Sequence, residues 1–151
     1  MSGRQNREIP TFNRPDPGVI SWLRQMITGG GPWRAAPIDG LSVAQVCDLL
    51  ANDRRRWVLL VVNEAGTVEL RQLSEVIASL EHGPRYTKEA RKAAYVSLLQ
   101  SHLPVLTEYG VLEEVRDHEY APGPAFDGVT GTLVEIEYRV ASGNREVISD
   151  G

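Results

Sequence analysis

Cysteine is almost missing from this chain. Cys47 is the one thiol in 151 residues, so an internal disulfide is excluded and no cysteine pair is available to hold a metal. Its neighbours Val46, Leu49 and Leu50 include no base or cation that would activate it. We expect a buried structural thiol. Long apolar runs are missing too. The longest, residues 57–62 (WVLLVV), is about a third of the roughly 18–20 residues a spanning helix needs. The N-terminal stretch MSGRQNREIPTFNRPDPG has no apolar h-region, so we expect no secretory signal and a cytoplasmic protein. Histidine is limited to His82, His102 and His118, on separate expected elements. There is no P-loop and no dinucleotide fingerprint, and Gly29, Gly30 and Gly31 follow no strand. We therefore expect no catalytic residues, no metal and no cofactor.

An apolar content of 42% is enough for a packed core. The net charge of −4 argues against a general nucleic-acid coat but leaves room for a local basic face. Residues 1–36 carry five arginines against Glu8 and Asp16, a balance of +3. Residues 85–110 carry Arg85, Lys88, Arg91 and Lys92 against Glu89 and Glu108, a balance of +2. Residues 37–84 come to −3 and residues 111–151 to −6. Positive charge is thus gathered on the N-terminal arm and around residues 85–92.

Residues 1–18, polar and with Pro10, Pro15 and Pro17, read as a mobile arm. Residues 19–27 (VISWLRQMI) place Val19, Ile20, Leu23, Met26 and Ile27 at helical spacing. This short amphipathic helix needs a surface, either its own domain or a second copy. A membrane is the weakest choice, because Arg24 alone supplies positive charge. Residues 28–40 form a linker. The domain proper spans residues 41–140. Ser42 and Gln45 make a capping box for a helix with Val43, Val46, Leu49 and Leu50 on its apolar stripe. Asp53 can cap a second helix over 54–63, almost wholly apolar from Trp57 to Val62 and therefore central. Three successive arginines, Arg54 to Arg56, cannot share one face. They are solvated or paired with acids such as Asp48 or Asp53, or they touch phosphates.

A short strand over 67–69 precedes a helix over 70–81 with Leu70, Leu73, Val76, Ile77 and Leu80 at core spacing. His82, at its end, should be exposed. Thr87 caps a long helix whose stripe is Tyr95, Leu98, Leu99, His102, Leu103 and Leu106. We expect His102 to be a core histidine bonded to backbone. Pro104 should kink this helix or close one turn and open another, and Gly110 should end it. Residues 111–116 read as a strand and 117–128 as a long Pro/Gly-rich loop. Residues 129–140 alternate and read as the return strand, with a polar tail over 141–151. The fold class expected is mainly α with a small antiparallel β-hairpin or sheet, arranged as a winged helix-turn-helix.

Three stretches carry a resemblance: LSVAQVCDLLANDRRRWVLLVV, TVELRQLSEVIASLE and TKEARKAAYVSLLQSHLPVLTEYGVLEE. Together, over residues 41–115, they resemble a haloarchaeal family of small winged-helix proteins whose long helix reads roughly RxxVYVSLxQxHLPxLxxxGVV. The resemblance implies a winged-helix fold and a DNA-binding transcriptional regulator. It implies no particular operator or ligand. The loop over 117–128, with Asp117, Glu119 and Asp127, departs from the short wing expected and would be repelled by phosphates.

The expected partner is double-stranded DNA, met by the front of the long helix through Arg85, Thr87, Lys88, Arg91, Lys92 and Ser97. The alternative is a winged-helix interaction or dimerisation module with no DNA affinity. A homodimer would use either residues 19–27 or the small face Ala90, Ala93 and Ser97. On the wheel, the cations project on the side of the apolar stripe and these small residues lie opposite.

Overall fold

The computed structural model describes residues 38–150. The arm, the 19–27 helix and most of the linker lie outside the described residues. At the centre is a helix with apolar groups on nearly every side. α1 (Val43–Leu50) opens on a capping box: Ser42 Oγ accepts from the Gln45 amide at 3.1 Å, and Gln45 Oε1 accepts from the Ser42 amide at 2.8 Å. α2 (Asp53–Ala65) follows, capped by Asn52, whose Oδ1 accepts from the amides of Arg54 (2.9 Å) and Arg55 (3.2 Å). The cap sits one residue earlier than Asp53, which instead pairs with Arg56 in the first turn. Val58, Leu59 and Val62 of α2 are fully buried. α2 touches α1, the sheet at residues 68–69 and 119–122, and the helices over residues 70–82 and 126–150.

β1 (Val68–Glu69) leads into α3 (Leu70–His82), then α4 (Lys88–Ser97), a π-helical turn (Leu98–His102) and α5 (Leu103–Glu108). The widened turn is where Pro104 makes itself felt. Proline has no N–H, and its ring crowds the carbonyl four residues back. The Leu103 amide bonds to Leu98 O, five residues back, and Pro104 falls in the first turn of α5. Gly110, at φ +75°, ends the helix. β2 (Leu112–Arg116) and β3 (Glu119–Pro122) form a hairpin, and the sheet order is β1-β3-β2, all antiparallel. Val68 faces Tyr120, and Glu114 faces Tyr120 from the other side. The fold is mainly helical with a small three-stranded antiparallel sheet.

Two expectations fail after residue 116. The hairpin turns at once through Asp117 and His118, so there is no long wing loop over 117–128. Residues 129–140 are not a strand but part of α6 (Phe126–Asp150), which also takes in what was read as a polar tail. The residues that α6 buries, Phe126, Val129, Thr130, Leu133 and Val134, recur at helical spacing. The alternation that suggested a strand comes from Ile136, Tyr138 and Val140, all exposed. Cys47 is exposed rather than buried. α1 packs by its C-terminal end, Leu49 and Leu50, and leaves Val43 81% exposed.

The crossing of the hairpin's return under the end of α5 is tight. A Cβ on Gly123 would lie 2.4 Å from Gly110 O and 3.1 Å from the Leu112 carbonyl carbon. Both are backbone atoms tied into the same crossing, since the Gly123 amide bonds to Val111 O at 2.9 Å. Gly123→Ala should therefore cost about 3 kcal/mol or more, read as a lower midpoint in thermal or urea unfolding. An unchanged midpoint would show that this crossing is slack.

Candidate nucleic-acid interface

α4 carries most of the residues expected to meet DNA, and its wheel decides which of them can. Ala94 and Leu98 are fully buried, and Ala90 and Ser97 flank them half-buried. This side of α4 lies chiefly against α3. Small side chains let the two backbones approach, so the small face is consumed inside the domain. Tyr95 and Leu99 sit half-buried at the edge of the contact rather than at its centre. The expected wheel is thus turned: Lys88, Glu89, Lys92, Ala93 and Val96 form the exposed side. Ser97, about 180° round the helix from Lys88, is not brought together with the cations. The proposed Ala90, Ala93, Ser97 dimer face is likewise left with Ala93 alone exposed.

Arg85 is exposed in the turn before α4. Thr87 is the helix cap, its Oγ1 accepting from the Ala90 amide at 3.0 Å. Arg91 is half-buried, and Lys88 and Lys92 are open to solvent. Among the described residues none of Arg85, Lys88, Arg91 and Lys92 makes an ion pair. The other arginines nearby do. Arg54 grips Glu81 through Nε (2.6 Å) and a second guanidinium nitrogen (2.8 Å). Arg55 lies 3.7 Å from Asp48, Arg56 pairs with Asp53, Arg71 lies 3.6 Å from Glu75 and Arg116 lies 3.8 Å from Glu119. Arg54 to Arg56 each have a carboxylate partner, as one of the two readings open from sequence expects. Val96, 40% exposed beside Lys92, is a surface residue the sequence reading missed, because the stripe was centred one position too late.

The β2–β3 hairpin is acidic. Glu113, Glu114 and Asp117 are exposed and Glu119 is partly so. Tyr120 is buried beneath them. Burial first, then the carboxylates of Glu114 and Asp117, push its phenol above the ordinary 10.0.

Residues 47–121 match a family model described as a domain of unknown function (DUF7344). No curated protein and no solved structure matches the chain. The matched segment runs from within α1 to within β3, so it includes α4, the π turn and nearly all of the hairpin, and it leaves out α6.

Within the matched segment the π turn builds a second polar feature. His102 is 7% exposed, and its partner is a side chain, not the backbone expected. Arg55 Nε donates to Nδ1 at 3.3 Å, which leaves the ring proton on Nε2. An open cleft of about 410 Å³ lies here, lined by Ala51, Asn52, Asp53, Arg54, Glu81 and His102. Arg54 is paired there with Glu81, and Asp53 pairs with Arg56 outside the lining.

Burial, then the guanidiniums of Arg55 and Arg54, lower the pKa of His102 from the ordinary 6.5, against a smaller opposing pull from Glu81. On acidification the unfolded chain takes up this proton near pH 6.5, while the folded chain takes it up only at lower pH. Between the two the unfolded state binds more protons, so stability is full above 6.5 and falls as pH drops below it. Wild type should lose midpoint temperature faster than His102→Gln between about pH 7 and 5. Parallel curves would contradict this assignment.

Proposed function

We propose that the domain is a winged helix-turn-helix that binds duplex DNA through the exposed front of α4, as a transcriptional regulator. The observation that carries this reading is the cluster of Arg85, Lys88, Arg91 and Lys92, unpaired among the described residues on a chain of net charge −4. Keeping four cations unpaired on one helix start, while neighbouring arginines are matched to acids, leaves that charge available to a polyanion. The element order supports the fold part of the reading. Helix, strand, helix, helix and hairpin, with β3 between β1 and β2, is the order expected of a winged helix-turn-helix, whose second helix would enter a major groove. Val96 offers that groove an apolar contact of the kind a thymine methyl accepts. The acidic hairpin cannot supply the backbone contact a basic wing gives, so affinity rests on α4 and on whatever the arginines of residues 1–36 add. Such a protein would work in the cytoplasm; no helix among the described residues is long and apolar enough to cross a membrane.

A second reading, a dimerisation or interaction module without DNA affinity, draws on a different observation. The outer half of α6 exposes Ile136 (48%), Tyr138 (41%) and Val140 (56%). The small face of α4 no longer supports it.

Fluorescence anisotropy on duplex DNA separates the two. With four phosphate contacts the affinity should fall about a hundredfold between roughly 50 and 200 mM salt. Arg91→Glu with Lys92→Glu should abolish most of the binding while leaving the unfolding midpoint close to wild type. Binding that survives this double substitution would move the site elsewhere. No binding to any duplex, together with a dimer in sedimentation, would favour the second reading.

A further inference from the structure

We propose that the tip of the β2–β3 hairpin is a site for one divalent transition-metal ion of the zinc type, held by Glu114, Asp117 and His118. One ligand atom from each of these side chains lies within 4.8 Å of the others. Around an ion with bonds of about 2.1 Å, tetrahedral ligand atoms sit about 3.4 Å apart, a gap that small side-chain rotations close. The turn delivers the three together. The His118 amide donates to Glu114 Oε2 at 2.9 Å, which folds the glutamate over the turn, and Asp117 precedes the histidine.

A pair of surface carboxylates alone would say little. The observation that points to an ion concerns the imidazole. Nδ1 of His118 is shielded from solvent and has no hydrogen-bond partner, although two carboxylates stand beside the ring. A shielded polar atom without a partner costs free energy, and coordination is one way to recover it. The donor set also sets the class of ion. Imidazole with two carboxylates suits Zn²⁺ and its neighbours in the first transition row. Ca²⁺ and Mg²⁺ prefer oxygen alone and larger or more regular shells. Three protein ligands leave a position for water or for another group. From the sequence His118 stood apart on its own element. The two-residue turn, which replaces the expected loop, is what makes it a neighbour of Glu114.

Binding would place two positive charges among Glu113, Glu114, Asp117 and Glu119 of the hairpin. The step from ion to DNA affinity rests on the DNA reading above; the ion site itself does not.

Calorimetric titration of the full chain with Zn²⁺ in a non-coordinating buffer tests the site. One equivalent should bind in the micromolar range, and Co²⁺ should produce visible absorption bands on binding. His118→Gly is the informative variant. His118 has φ +62°, a region glycine enters freely, so the substitution removes a ligand without straining the turn. Zn²⁺ affinity should fall about tenfold or more, while the metal-free unfolding midpoint stays the same or rises. Glu114→Gln with Asp117→Asn should also weaken binding. Absence of Zn²⁺ binding in wild type, or undiminished affinity in His118→Gly, overturns the site. If Zn²⁺ binds as expected but leaves duplex affinity unchanged, the ion site stands and the DNA step fails.

Discussion

An apolar helix that must be covered on all sides governs this fold. α2 carries Val58, Leu59, Leu60, Val61 and Val62 in succession, all buried. Consecutive residues point in every direction round a helix, so no single layer can shelter them. α1, α3, the sheet and α6 are each brought against it. The polar N-terminus of α2 then has to be satisfied in a crowded place. Asn52 caps it, and Arg54, Arg55 and Arg56 reach outward to Glu81, His102 and Asp53. Those three arginines tie the start of the central helix to α3, to the π turn and to its own first turn. Their charge is matched by acids, whereas the cations at the start of α4 make no ion pair among the described residues.

Most of the helical frame was legible in the residues. Ser42 with Gln45, Thr87, Gly110 and the apolar run of α2 each acted through local chemistry that reads directly. The position of Asn52 was missed by one residue because Asp53 is as good a cap chemically. The effect of Pro104 was foreseen in kind, but its form, a π turn reaching back to Leu98, depends on how His102 and Leu103 pack. The region after Arg116 was misread for a physical reason. Gly123, Pro122 and Pro124 look like a loop, yet they mark a close backbone crossing. The β-branched, alternating residues from Val129 onward favour a strand locally. Burial of Val129, Leu133 and Val134 against the rest of the domain decides for a helix.

The candidate interface was legible in part. Arg85, Lys88, Arg91 and Lys92 were found by counting charge, and they do gather at one end of α4. Ser97 was assigned to them wrongly, because the wheel was set by the large apolar residues. Ala94, small and completely buried, marks the true contact with α3. The group at Glu114, Asp117 and His118 was not legible, since it exists only once the hairpin turns tightly.

The central claim, that the exposed front of α4 meets duplex DNA, is tested most directly by hydrogen–deuterium exchange with and without a duplex at low salt. The account predicts slower exchange across residues 84–100 when DNA is present, with α6 unchanged. Exchange that is unaltered in this stretch under saturating DNA, or slowed in α6 instead, would contradict it.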